Sequence, residues 1–350
     1  MTKQDCFQTQ NALSLHTSQA MIQSKDFTLW AQEAYHRLEQ SDVILVLGEL
    51  WFDVYNLLMQ THMSALQDSK HLPPQFMSES KHIIALHPIA DMRFAEAGYF
   101  PRYTQFQYEI GTEIGVALLL LKYLAQLAQR LPSAIATFLE ELDIGYIASE
   151  SALAEEEVAV IAAALSRAKT PLILFGSSFL AHKEYAILSK ILLALRYSSA
   201  LMYLPIYYEG APMTFGAHID SDSLNQSSLD SSDLLRLQEI VENLPENNGA
   251  MIYLNMLPTA ESSLADKATK QDIQVPMPLY VSEPFLYATK LQPNEVVMLI
   301  LEGYTLACIL HKVQYFNGVV GVLQACANLE AKKIWRYPFI RAQFCQNKGA

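Results

Sequence analysis

Two stretches decide the fold: Asp42-Val-Ile-Leu-Val-Leu-Gly48 and Pro171-Leu-Ile-Leu-Phe-Gly176. Each is an unbroken apolar run closed by glycine. A strand with one wet face alternates apolar and polar residues, so a continuous run marks a strand buried on both faces, as in a parallel sheet. The closing glycines, Gly48 and Gly176, stand at carboxyl ends, where such sheets hold their ligands.

Outward from these runs the pattern repeats. Lys81–Pro88, Leu201–Pro205 and Met251–Met256 read as further strands. Between them the 3.6-residue period predicts helices at Phe27–Leu38, Asp53–Leu66, Glu113–Arg130, Ala154–Ala168 and His182–Arg196. Thr112 is placed to cap the third of these, with Glu113 at its positive end. Strands alternating with long helices predict an α/β protein with a doubly wound parallel sheet. Asp220–Asp233, with six serines and four aspartates in 14 residues, reads as a low-complexity loop with a helix start near Ser231–Asp233. After about Pro278 helical periodicity disappears, and short apolar runs alternate with turn signals such as Asn317-Gly318. The expected organisation is an N-terminal arm and helix at 1–40, an α/β region at 41–257, a polar linker at 258–278 and a small β-rich module at 279–350.

Composition bounds the partners. A chain of 350 residues with 51% hydrophobic content can build a large core, and it is not wholly disordered. The 24 Lys and Arg against 36 Asp and Glu give a net charge of −12, which repels phosphate backbones and argues against nucleic acid. Cys6, Cys308, Cys326 and Cys345 are scattered, without CxxC spacing, so no iron–sulfur or structural zinc site is encoded locally and a reducing compartment is expected. Met1–Met21 is polar and lacks the apolar core of a signal peptide. The apolar runs Ile114–Ala128 and Val296–Leu310 carry Lys122 and Glu302 and fall short of the roughly 20 residues a membrane span needs, so both read as buried core.

Motifs for chemistry are sparse. His82 and His87 flank a strand five residues apart, on opposite faces, and cannot share a metal. Glu155-Glu156-Glu157 reads as charge on the first turn of a solvated helix rather than as a ligand cluster. Gly176-Ser177-Ser178 reads as a tight turn with a helix cap, the alternative being an anion held by backbone N–H groups. Neither glycine-terminated strand continues into GxGxxG or GxxxxGK[ST], which excludes the dinucleotide and P-loop readings. No catalytic, cofactor-binding or metal-binding residue is assigned. Two aromatic clusters, Tyr203, Tyr207 and Tyr208 around Pro205 and Trp335, Arg336 and Tyr337 near the C-terminus, have the composition of contact patches.

The order of several weak motifs resembles the molybdopterin oxidoreductase superfamily. They are Asp42–Gly48 running into a Gly-acid pair; Ile83–Pro88 followed by Asp91-Met-Arg-Phe-Ala-Glu-Ala97; Tyr108-Glu-Ile-Gly-Thr-Glu113 opening a Leu/Ala helix; Gly145–Glu150; Pro171–Gly176; and Gly210–Gly216. Within it the chain is similar, over roughly residues 40–255, to the family of G-type large subunits of bacterial NADH-quinone oxidoreductase (respiratory complex I). Glu295–Gly303, Phe316–Gly321 and Trp335–Phe339 resemble that family's C-terminal β segment. The cysteine-rich, cluster-binding region of that family has no counterpart here, and the residues after Pro88 are Ile-Ala-Asp rather than the Arg-containing sequence of pterin-nucleotide binders.

The resemblance implies a molybdopterin-oxidoreductase type of fold stripped of redox centres. It implies a structural, non-catalytic subunit or subunit fragment in the peripheral arm of an NADH-quinone oxidoreductase, peripheral to the cytoplasmic membrane on its cytoplasmic side. Iron–sulfur clusters and FMN are then expected only in partner subunits, and the pterin site is vestigial. Two other readings stand beside it: a stand-alone pterin-binding redox protein of the same superfamily, and an acidic interaction protein unrelated to respiration.

Overall fold

The computed structural model describes residues 34, 36–56, 81–93, 102–125, 133–195, 200–203, 206–208, 211–213, 229–245, 249–255, 276–301, 304–324 and 337–345, those at 200–213, 301, 304 and 324 as backbone only. It is a mixed α/β protein with a parallel sheet and a second, nearly closed mixed sheet.

The parallel sheet contains β1 (Val43–Leu47), β2 (His82–Leu86), β4 (Tyr103–Phe106), β5 (Pro171–Phe175) and β6 (Ala200–Tyr203), with β3 (Ala90–Asp91) standing apart. Their spatial order is β4-β2-β1-β5-β6, all parallel. Counted along the chain that is third-second-first-fourth-fifth, so the order reverses between β1 and β5, the two stretches singled out above. All five residues of β1 are buried, as a central strand requires. Val43, Leu45 and Leu47 join Ile84, Leu86, Ile173 and Phe175 in one core with α1 (Glu113–Ala125), α2 (Ser133–Glu141), α3 (Ile144–Glu150), α4 (Glu155–Arg167), α6 (Tyr185–Leu195) and α7 (Ser231–Glu242). The short helix α5 (Ser177–Leu180) follows β5 directly. Ile44 and Val46 point to the opposite face and are equally buried. After β6, the strands β7 (Ile206–Tyr208) and β8 (Ala211–Met213) pair antiparallel with each other.

Polar anchors fix the amino ends of the parallel strands. The Asp42 carboxylate accepts the Lys169 and Thr170 N–H groups at 2.8 and 3.0 Å, tying the start of β1 to that of β5. Lys81, only 5% exposed, donates to the carbonyls of Leu38, Glu39 and Ser41, each at 2.6 Å. That ammonium satisfies carbonyls left open where the helix at 36–40 ends.

The second sheet has seven strands: β9 (Met251–Asn255), β10 (Met277–Val281), β11 (Val296–Leu301), β12 (Tyr304–Lys312), β14 (Val320–Gln324), β15 (Phe339–Arg341) and β16 (Gln343–Cys345), while β13 (Phe316–Asn317) lies outside it. Their order is β15-β9-β14-β10-β12-β11-β16. The two ends of that series, β15 and β16, are separated in sequence by Ala342 alone, so the sheet curls back on itself into a nearly closed barrel. Ile252, Leu254, Leu279, Val281, Val297, Leu299, Cys308, Leu310 and Leu323 fill its interior. Phe285, on α8 (Glu283–Thr289), packs in the same cluster.

The structure corrects the sequence reading in two places. Met251–Asn255, assigned by sequence to the α/β region, lies inside the barrel sheet between β14 and β15. The C-terminal region also contains a helix, α8, with a Ser282 cap whose hydroxyl accepts the Phe285 N–H. The linker boundary moves with them, since β10 begins at Met277. The mixed sheet borrows a strand from before the linker, so the region from 279 onward does not complete it alone. Among the described residues no helix is long and apolar enough to cross a membrane, and α1, one of the two runs tested as a span, has ten of its 13 residues buried in the core.

Candidate functional site

In a parallel sheet all carboxyl ends lie on one edge, and the chain turns there into loops. Here those turns bring together Gly48-Glu49 after β1, His87 after β2, Tyr108 after β4 and Gly176-Ser177-Ser178 after β5. The barrel packs against this edge. Leu50, Ile89 and Ile110 form a cluster with Met251, Tyr253, Phe316, Val320, Val322 and Phe339. β3 also pairs with β13, which ties the two parts by backbone.

At the reversal point the chain supplies its own acceptor. Glu49 is fully buried, and its Oε2 accepts the Ser177 N–H at 3.1 Å and the Ser177 hydroxyl at 2.8 Å. Its Oε1 accepts the hydroxyl of Tyr253, from the barrel strand β9. Burial pushes the Glu49 carboxyl up to about 6 against the pull of these donors. The turn of Gly176-Ser177-Ser178 therefore opens a short helix and donates to an acceptor, and that acceptor is a side-chain carboxyl 128 residues away. Gly48 sits at φ +72°, and a Cβ there would collide with Ser178 Oγ and lie 2.6 Å from Phe179 Cδ2. A Cβ at Gly176 would meet Glu49 Cβ and the Gly48 carbonyl. Both glycines are required by close approach across the crevice.

A second buried carboxyl lies beside the first. Glu113, at the start of α1, has Oε1 accepting from Tyr337 at 2.6 Å and from Tyr108 at 3.4 Å. The Tyr108 hydroxyl also meets Ser178 Oγ at 2.8 Å. Burial pushes Glu113 up to about 7. Its Oε2 has no hydrogen-bond partner among the described residues, and His182 Nε2 stands 3.7 Å away. His182 Nδ1 accepts the Glu184 N–H, so the ring hydrogen is on Nε2, which faces the Gly111 carbonyl at 3.4 Å. Burial lowers the proton affinity of this ring. His182 lines an open cleft of about 350 Å³ with Gly111, Ile114, Lys183, Arg236 and Asn243.

A third group is fully compensated. Arg93 donates to Asp91 at 2.6 and 2.8 Å and to Asp53 at 3.1 and 3.3 Å, and its guanidinium lies 4.2 Å from the centre of the Phe52 ring. Burial raises Asp53, with Arg93 and the Asn255 side chain opposing. His87, fully buried, accepts the Ile89 N–H on Nδ1 and packs edge-on against the Tyr253 ring at 4.9 Å. Burial holds its proton affinity down to about 3, so it is neutral.

The residues singled out by sequence fall variously. His82 pairs with Thr104 Oγ1 at 3.0 Å, remote in role from His87. Glu155 and Glu157 serve local ends: one takes the Tyr123 hydroxyl, the other accepts the Ala154 N–H at the start of its helix. Thr112 stands at the cap position of α1, but its hydroxyl donates to the Glu109 carbonyl at 2.6 Å instead of capping the helix N–H groups. Tyr337, expected in a contact patch, points inward to Glu113; Trp335 and Arg336 lie outside the described residues, as do the side chains of Tyr203, Tyr207 and Tyr208. Glu49 was legible only as the acid after Gly48, and Tyr253 only as a strand residue. Among the described residues no three His, Cys, Asp or Glu side chains are grouped to hold a metal. Chemically the seam is a pair of buried, tyrosine-bonded carboxyls with raised proton affinities and, among the described residues, no Lys or Arg partner. No protein-family model matches the chain, and no curated protein sequence matches it.

Proposed function

We propose that this chain is a structural, non-catalytic subunit of the peripheral arm of a respiratory NADH-quinone oxidoreductase, held on the cytoplasmic side of the membrane by other subunits in the manner of the G-type large-subunit family. The observation that carries the reading is Glu49. Its carboxylate lies on the Ser177 N–H and hydroxyl at the reversal point of the sheet, where an open α/β sheet receives its ligand. A pterin nucleotide brings a pyrophosphate, which would meet Glu49 and Asp53 there, and Arg93 is already shared by Asp53 and Asp91. The residues present do not fit that cofactor. In this proposal the flavin and iron–sulfur centres belong to partner subunits, and the chain contributes surface and shape.

The test is affinity purification of the tagged chain from native membranes at low and high salt, with identification of co-eluting chains and metal analysis. Co-elution with peripheral-arm subunits, weakened by salt and without stoichiometric iron or molybdenum, supports the proposal. A chain that stays monomeric in the soluble fraction at both salt concentrations, in cells that make the rest of the complex, overturns it. Near-stoichiometric molybdenum overturns it in favour of a stand-alone pterin protein.

A further inference from the structure

The seam between the parallel sheet and the barrel is closed by the backbone pairing of β3 with β13 and by two kinds of side-chain contact. One is apolar, made by Leu50, Ile89 and Ile110 against Met251, Tyr253, Val320, Val322 and Phe339. The other is a pair of hydrogen bonds from barrel-side tyrosines to buried carboxyls: Tyr253 to Glu49 and Tyr337 to Glu113. Both carboxyls are fully buried.

We propose that this seam is a proton-controlled latch, closed while Glu49 and Glu113 are protonated and loosened when they ionise. The surroundings of each carboxyl carry the argument. Glu49 faces the Tyr253 hydroxyl, the Ser177 N–H and hydroxyl, the Tyr108 ring hydroxyl further off, and a like charge on Asp53. Glu113 faces the Tyr337, Tyr108 and Ser178 hydroxyls and the neutral His182 ring, on which Lys183 and Glu184 act with opposite signs. His87, against Tyr253, is neutral, and Arg93 is held by Asp53 and Asp91. No cation touches either carboxyl among the described residues. A charge appearing on either one is answered only by neutral donors, and it is hydrated only if the barrel lifts from the sheet edge. The open cleft lined by His182 lies next to Glu113, whose Oε2 is 3.7 Å from His182 Nε2.

The sign follows from the proton affinities. Both are raised above the ordinary carboxyl value of 4.5, to about 6 and about 7. The closed seam therefore binds protons that the open, hydrated seam releases. Closure is strongest below pH 4.5, weakens as pH rises, and levels off above about pH 7. If opening hydrates a carboxyl completely, its opening constant rises by about 30-fold for Glu49 and about 300-fold for Glu113 between full protonation and full ionisation.

Native-state hydrogen exchange on the full chain tests this. The reporters are amides whose bonds cross or line the seam: Ser177 N–H on Glu49, Gly111 N–H on the Tyr337 hydroxyl, and Met92 N–H on the Tyr315 carbonyl. The reference is the amides inside β1. Between pH 5 and pH 8, after correction for intrinsic exchange, the reporters should lose tens-fold protection or more while β1 does not. The double variant Glu49→Gln, Glu113→Gln should abolish the difference. Tyr337→Phe, a milder change, takes a donor from Glu113 and should move the midpoint to higher pH at Ser177 and Met92. Protection independent of pH, the same pH dependence in the double variant, or an unmoved midpoint in Tyr337→Phe would each overturn the latch.

Discussion

Replacing Gly48 by Ala tests whether the crevice at the sheet's reversal point is as tightly filled as the geometry says. Two costs are superposed at this position. The first is conformational: φ is +72°, a region that costs an L-residue about 1–2 kcal/mol, offset by about 0.4–1 kcal/mol from a stiffer unfolded chain. The second is steric, since the new methyl meets Ser178 Oγ and lies 2.6 Å from Phe179 Cδ2, both on a buried helix packed against the core. Overpacking of this kind costs about 1–3 kcal/mol. Gly318 separates the two. Its φ is +95° and nothing lies within 4 Å of the place a methyl would occupy, so Gly318→Ala carries the backbone cost with no clash. The expected losses are about 1 kcal/mol for Gly318→Ala and about 2–4 kcal/mol for Gly48→Ala, read as shifts in urea unfolding free energy with two spectroscopic probes. Ser178→Ala removes one of the two obstacles, so Gly48→Ala should cost less in that background. Equal losses at Gly48 and Gly318, within about 0.5 kcal/mol, would refute a filled crevice.

Three other substitutions probe the seam and the barrel. Arg93→Met strands Asp53 and Asp91 in a buried site and should destabilise by about 3–5 kcal/mol in urea unfolding; a loss below about 1 kcal/mol would mean the site is wet. Tyr253→Phe removes a donor from a fully buried carboxyl and should cost about 1–3 kcal/mol, more at pH 8 than at pH 5, because ionised Glu49 needs the hydroxyl more; a cost greater at pH 5 contradicts the assigned bond. Phe285→Ala empties part of the barrel interior and should cost about 3–5 kcal/mol in the same measurement, whereas a near-neutral result would mean α8 does not plug the barrel.

The legible parts of the fold are those whose cause is local. β1 and β5 are readable because burial on both faces demands an unbroken apolar run, and their closing glycines are readable because no side chain fits there. β4, Tyr-Thr-Gln-Phe, was not readable: every residue is half-buried at the sheet's edge, so no pattern forms. α8 carries a start signal in Ser282-Glu283-Pro284 but has only seven residues, too few for a helical period to show. Closure of the barrel depends on β15 and β16 pairing with β9 and β11 on either side of Ala342, and no local property of the segment encodes that. The site was hidden for the same reason. Glu49 beside a glycine looks like a solvated acid, and what makes it a buried one is Ser177, 128 residues on, and Tyr253, 204 residues on.

Packing alone does not require an acid at residue 49. Reversal of strand order opens a gap between the loops after β1 and β5, and the start of α5 exposes N–H groups into it. One of these must find an acceptor once the barrel excludes water. Any buried oxygen would do; a glutamine at 49 would accept from Ser177 and donate to the Tyr253 oxygen without ever carrying charge. The same holds at 113, where Tyr337 needs an acceptor and not an anion. Two ionisable acids in these places stabilise nothing that neutral amides would not, and above pH 7 they weaken the closed form. Stability therefore does not account for them. Sensitivity of the seam to protons does, because only an ionisable group makes the docking of one sheet on the other depend on pH.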